Sequence, residues 1–148
     1  EQTGGRAGRG EKKGKVFIQT YNSDNPVMQA LAKGNKEMFL ENEIKARQTL
    51  NMPPFGNLAS LIISGKDKNV LNNYCNNLAR TAFNDEKVKT YGPSIAPISY
   101  LNGKYRVRFL LQSQKDIRLQ NIISKWLKTV KIPSSVSVKL DIDPYSFM

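Results

Sequence analysis

The run Ile98-Ser99-Tyr100-Leu101-Asn102-Gly103-Lys104-Tyr105-Arg106-Val107-Arg108-Phe109 carries the strongest hairpin signal in the chain, Asn102-Gly103 set between two alternating arms. Both turn residues accept the left-handed backbone that a two-residue type I′ turn demands. The turn predicts one strand ending at Leu101 and another running from Lys104 to Gln112. In that register Tyr100 stands across from Tyr105 and Ile98 from Val107, so Ile98, Tyr100, Tyr105, Val107 and Phe109 share one side, expected to pack under helices. By the period-two rule Lys104, Arg106 and Arg108 project from the opposite side, a row of three cations about 7 Å apart. The phosphates of a nucleic-acid backbone have a similar spacing.

The elements on either side of the hairpin complete a fold. Upstream, Leu58 to Ser64 reads as an aliphatic strand, and Asp67 to Phe83 as a helix whose Val70, Leu71, Tyr74, Cys75, Leu78 and Ala82 recur at helical spacing. Val88 to Tyr91 begins an extended segment that Gly92-Pro93 interrupts and Ile95 resumes. Downstream, Ser113 with Asp116 forms a capping-box-like start for a helix that turns Leu119, Ile122, Ile123, Trp126, Leu127 and Val130 inward. Pro133 stops it, and Val136 to Ile142 makes the last strand. The order β-α-β-β-α-β predicts a mixed α/β (α+β) domain of ferredoxin-like type, four antiparallel strands with two helices on one face.

The other face is left for solvent or a ligand. RNA-recognition domains of this topology stack bases on aromatic residues of a central strand, but the corresponding outward positions here are Lys104 and Arg106. Such a surface holds phosphates by charge and has little means of reading bases, so binding should be sequence-tolerant and salt-sensitive. Lys115, Arg118, Lys125 and Lys128 are expected to extend the basic surface along the neighbouring helix. Cations on a free sheet face also serve to prevent aggregation.

Composition points the same way. The 148 residues hold 23 Lys plus Arg against 12 Asp plus Glu, a net charge of +11 that suits an acidic partner, nucleic acid first. A single cysteine, Cys75, and no histidine exclude an internal disulfide framework, a thiolate metal cluster and a Ser-His-Asp triad, so no metal site is expected. No apolar run approaches the roughly 20 residues of a membrane span, which leads us to expect a soluble, cytoplasmic protein without a membrane partner.

The first residues, Gln2-Thr3-Gly4-Gly5-Arg6-Ala7-Gly8-Arg9, set two arginines three apart in a glycine-rich frame. Phosphoryl transfer needs positive charge where negative charge builds on the γ-phosphate, and two guanidiniums nearly one helical turn apart can supply it. A short Gly/Arg-rich opening is also the composition of a disordered basic arm. Gly10 with Gly14-Lys15 is no P-loop, since Val16 stands where Ser or Thr should be. Val16 to Gln19 then reads as a short buried strand. Asn25-Pro26 is a helix entry leading into Val27 to Lys33, Gly34 ends that helix, and Asn35 caps a second, surface helix running to about Leu50. Met52-Pro53-Pro54-Phe55-Gly56 is a rigid breaker.

The opening string resembles motif VI of superfamily 2 helicases, in the version found in the bacterial primosomal replication-restart helicases, the PriA or primosomal protein N′ family. Met52-Pro53-Pro54-Phe55-Gly56, the run Tyr91-Gly92-Pro93-Ser94-Ile95-Ala96-Pro97, Arg118-Leu119-Gln120 and the terminal Asp141-Ile142-Asp143-Pro144 resemble the same family in the same order. The resemblance implies a parent motor that uses ATP with Mg2+ to unwind DNA 3′ to 5′ in replication restart and primosome assembly. Gln2, Gly5, Arg6 and Arg9 would bind ATP there, Arg6 and Arg9 contacting the γ-phosphate. The implied partners are DNA forks and single strands, other primosome proteins, and single-stranded DNA-binding protein, whose acidic tail would meet Arg118 and Gln120. Asp116 departs from the basic residue expected near there. The family's zinc module has no ligands in this chain.

On this reading residues 1–52 are the end of helicase lobe 2, and 53–148 are a C-terminal domain that binds DNA or protein partners without hydrolysing ATP. The chain would be an excised piece of something longer. A second reading stands beside it, a stand-alone basic nucleic-acid-binding or ribosomal-type module with no motor.

Overall fold

The computed structural model describes residues 16–144. The chain divides into two compact units after Glu43. In the first, helix α1 (Pro26–Ala32) opens as the Asn25-Pro26 pair predicts, with the Asn25 side chain accepting the Val27 N–H at 2.8 Å. Helix α2 (Lys36–Thr49) begins in this unit, where the Asn35 side chain accepts the Met38 N–H at 2.9 Å, and it buries no residue, as a surface helix should. The strand expected over Val16 to Gln19 is not formed. Residues 16–20 are irregular and exposed, because a short apolar run becomes a strand only when another strand offers its hydrogen-bond ladder.

The second unit holds β1 (Gly56–Gly65), α3 (Lys68–Arg80), β2 (Val88–Leu101), β3 (Lys104–Gln114), α4 (Leu119–Leu127) and β4 (Val136–Ile142). The sheet order is β2-β3-β1-β4, and each neighbouring pair is antiparallel. This is the ferredoxin-like β-α-β-β-α-β arrangement that the sequence predicts. Its core lies between the helices and one sheet face. Leu71, Tyr74, Cys75 and Leu78 of α3 and Leu119, Ile123 and Trp126 of α4 pack on Ala59, Leu61, Ile63, Val107, Phe109 and Leu111. Trp126 meets the Phe109 ring edge-on at 5.3 Å and satisfies its indole N–H by donating to the Leu78 carbonyl at 3.0 Å. A hydroxyl pair, Thr81 with Thr129 at 2.8 Å, ties the ends of the two helices together.

Four local expectations are corrected. The segment around Gly92-Pro93 is not an interruption: β2 runs unbroken from Val88 to Leu101 and absorbs its irregularity as register shifts between Tyr91 and Ser94 and between Ile95 and Tyr100. An edge strand tolerates Pro93 and Pro97 because one side of its ladder is unpaired. The second shift changes a pairing, so that Tyr100 does stand across from Tyr105 but Ile95, not Ile98, opposes Val107. The third correction concerns α4. Strand β3 continues to Gln114 and buries Ser113, so Ser113 and Asp116 form no cap; α4 starts at Leu119 behind Arg118, which makes no side-chain cap bond.

The fourth concerns the hairpin. Tyr100 and Tyr105 lie on the helix side of the sheet yet are exposed. Tyr105 pairs with Gly65, the last residue of β1, and α3 does not begin until Lys68, so the hairpin tip runs out beyond the helix layer.

Two glycines are required by close approach. A side chain at Gly56 would collide with the carbonyls of Asn51 and Ser113. At Gly92, which sits at φ +115°, it would come within 2.8 Å of the Arg108 carbonyl.

Candidate nucleic-acid interface

Strand β3 sorts its side chains as period two requires. Val107, Phe109 and Leu111 are buried under the helices, while Lys104, Arg106, Arg108, Leu110 and Gln112 occupy the opposite face, half-buried. The three predicted cations therefore do share the open face. The guanidinium of Arg106 donates to the Ile98 carbonyl at 3.3 Å, which holds that side chain against the bulged part of β2.

Strand register shows what surrounds them. Ile62 of β1 opposes Arg108 on one side and Lys139 of β4 on the other, so Arg108, Ile62 and Lys139 form one row across the sheet. The next row joins Arg106 to Ser64 and Ser137, whose hydroxyls meet at 2.9 Å. Lys89 of β2 opposes Gln112 and falls on the same face. Among the described strand residues on this face Asp141 is the one acid, in the row of Ser60 and Leu110. Sequence reasoning missed Lys139 and Lys89. Alternation along Val136 to Ile142 assigns Lys139 to the face opposite Val136 and Val138, but its position beside Arg108 emerges only once β4 is placed next to β1.

One end of this face is occupied by the chain itself. The Gln112 amide donates to the Leu50 and Asn51 carbonyls, and Leu58 and Ser60 are buried at the same end. Apart from Lys89, the basic residues of this face thus lie from the middle of the sheet toward the hairpin.

The expected extension of this surface along α4 is not found. Lys125 on α4 and Lys128 just after it are exposed, but α4 packs on the other side of the sheet, so they belong to a different surface. A helix that covers one sheet face cannot present its outer residues beside the uncovered one.

Arg118 and Gln120 lie elsewhere, at a cavity of about 160 Å³ where the end of β3 meets α4 and the end of β4, lined also by Lys115, Leu119, Asn57 and Asp143. The loop forming it is anchored by the Asn57 amide, which donates to the carbonyls of Gln114, Lys115 and Ile117 at 3.1, 3.1 and 2.8 Å. Asp143 closes the far side by accepting the Leu58 N–H at 3.0 Å. The start of α4, without a side-chain cap and next to Lys115 and Arg118, is chemically suited to a carboxylate. Asp116 is exposed and does not line the cavity.

Gln2, Gly5, Arg6 and Arg9 lie outside the described residues. Among the described residues no group of His, Cys, Asp or Glu could hold a metal ion, and no helix is long and apolar enough to cross a membrane. Cys75 is buried, and burial pushes its thiol up to about 11, which removes the thiolate that reactivity would need. Burial likewise raises the neighbouring Tyr74 phenol, with Cys75 adding to the effect.

The family model described as primosomal protein N C-terminal domain matches residues 48–145. The replication restart protein PriA of Rickettsia typhi is 42% identical over 146 residues, which cover 99% of this chain and 22% of the relative. The protein of the same name from Synechocystis is 33% identical over 147 residues, covering 98% of this chain and 17% of that protein. That from Bacillus subtilis is 28% identical over 162 aligned positions, covering 99% and 19%. The chain thus spans about a fifth of the length of these relatives.

Proposed function

Since the chain belongs to the primosomal protein N C-terminal domain family, we propose that it acts in replication restart as the C-terminal part of an ATP-dependent DNA helicase, and that its four-stranded sheet docks DNA. The observation that carries the docking is the grouping of Arg106, Arg108 and Lys139 on one uncovered sheet face, with Lys104 toward the hairpin, in a chain of net charge +11. Cations spaced along and across a sheet neutralise successive phosphates and ask nothing of the bases.

The sheet residues serve to bind and position. ATP with Mg2+ would be held by Gln2, Gly5, Arg6 and Arg9 together with the rest of the motor, where it supplies the energy for unwinding; this part of the proposal rests on the resemblance of residues 2–9 alone. Among the described residues no group of His, Cys, Asp or Glu could hold zinc. The cavity at Arg118 and Gln120 is the proposed seat for the acidic tail of single-stranded DNA-binding protein. An uncapped helix start and two cations suit a terminal carboxylate, and the apolar Ile117 and Leu119 suit a side chain beside it. Relatives of the chain that carry the name replication restart protein favour a role in restart over a stand-alone ribosomal-type module.

Fluorescence anisotropy with fork and single-stranded DNA over a salt series tests the docking face. Wild-type affinity should fall steeply with salt, and a Lys104→Glu/Arg106→Glu/Arg108→Glu variant should lose at least tenfold at low salt. Retention of wild-type affinity by the triple variant would rule out this face.

A further inference from the structure

The β2–β3 hairpin tip carries an exposed aromatic pair that the docking face does not explain. Tyr100 is 56% exposed and Tyr105 38%, and the two rings meet edge-on at 5.1 Å. They are directly opposed across the ladder, which fixes both backbones, so the pair is a rigid feature on the tip. Two large rings left in water at the end of a hairpin are costly unless something covers them. Several cations stand around them. The Lys68 ammonium lies 6.0 Å from the centre of the Tyr105 ring, Lys104 and Arg106 project from the other side of the same strand, and Lys66 is exposed in the loop before α3. Asp67, which stands between Lys66 and Lys68 in sequence, caps α3 by accepting the Asn69 and Val70 N–H groups.

From this we infer that Tyr100 and Tyr105 form a base-stacking site for single-stranded DNA, the strand's phosphates being held by Lys104 and Arg106 while an unpaired base lies on the tyrosine pair. Charge complementarity selects the occupant, since aromatic faces ringed by cations match a polyanion that carries flat, apolar bases. An acidic protein segment would use the cations but leave the rings without a matching partner. A duplex would satisfy the cations but offers a flat base only at its end. The inference rests on the sheet as a DNA-docking face and adds to it a preference for unpaired bases, so the hairpin tip would meet the point where a fork opens.

The test uses the 148-residue chain and two probes of equal length and charge, a dT20 oligonucleotide and a 20-unit abasic strand with the same phosphates and no bases. The wild type should bind dT20 about tenfold more tightly than the abasic strand. Tyr100→Leu/Tyr105→Leu keeps apolar bulk at both positions and should bring the two affinities together. Tyr100→Phe/Tyr105→Phe should keep the difference. Circular dichroism and a thermal melt show that each variant is folded, as expected of exposed positions. If the wild type binds both strands alike, or the leucine variant keeps its preference for dT20, stacking is overturned while phosphate docking stands. If neither strand binds, the docking face and the stacking site fall together.

Discussion

The two faces of β3 follow one rule of alternation and come to opposite ends. On the helix side, Val107, Phe109 and Leu111 contact a layer of side chains from α3 and α4 and are buried. On the open side, Arg106, Arg108 and Gln112 alternate with them in sequence and remain half-exposed. The first face accounts for stability through apolar area removed from water; the second carries the cations that suit a charged partner. The tyrosines at the tip break the correspondence. They belong to the helix side by alternation and to the exposed surface by position, because the hairpin outlasts the helices. Membership of a face therefore predicts burial only where the opposing layer extends.

The strongest way to break this comparison is Trp126→Ala. The indole touches Phe109 and bonds the Leu78 carbonyl, so its removal leaves a cavity beneath the centre of β3, while the Leu78 carbonyl keeps the Thr81 hydroxyl and N–H. The expected loss is about 3–5 kcal/mol, read by urea unfolding followed by far-UV circular dichroism, since this variant has no remaining tryptophan. A loss below about 1 kcal/mol would mean that the helix-covered face is not where the stability resides.

Asn57→Ala probes the seam between the two faces. One amide holds the Gln114 carbonyl at the end of β3 and the Lys115 and Ile117 carbonyls of the loop before α4; truncation to alanine removes that donor from all three, of which Gln114 keeps the Ile117 N–H. The expected cost is about 1–3 kcal/mol. Hydrogen exchange should quicken at residues 115–119 and stay slow in β1 and β3. The Arg118 and Gln120 cavity would loosen with the loop, so an acidic peptide should bind less tightly although Asn57 carries no charge. Uniform destabilisation without faster local exchange would show that the loop is held by other contacts.

Different physical signals account for what the sequence did and did not disclose. Asn102-Gly103 declared its turn because few dipeptides accept two left-handed residues, and the observed φ of 50° at Asn102 and 75° at Gly103 are that conformation. The cation row of β3 followed from that turn. The register of β2 beyond Tyr100 was not legible, because a bulge costs an edge strand little and leaves no compositional mark beyond the prolines it tolerates. The start of α4 was misplaced for a related reason: Ser113 has the composition of a cap, but a longer ladder with β1 recruited it into β3. Lys139 needed the strand order, since alternation names a face and not a neighbour. The exposure of Tyr100 and Tyr105 needed the length of the helix layer, which no local pattern encodes.

Lys139→Gln gives the smallest effect and the sharpest test of the open face. Lys139 is exposed, and its row partners Ile62 and Arg108 stay in place when its charge is removed. Stability should change by no more than about 0.5 kcal/mol. If the open face docks duplex DNA as a set of phosphate contacts, losing one cation should lower the slope of log affinity against log salt by about 0.9 and weaken all sequences alike. The effect is small because one phosphate among several goes unneutralised. It is informative because Lys139 lies on β4, two strands from the hairpin. An unchanged slope would confine the docked strand to β3 and the hairpin side of the sheet. A lowered slope would show that the bound DNA crosses from β3 over β1 to β4, so that the uncovered face acts as a single electrostatic surface.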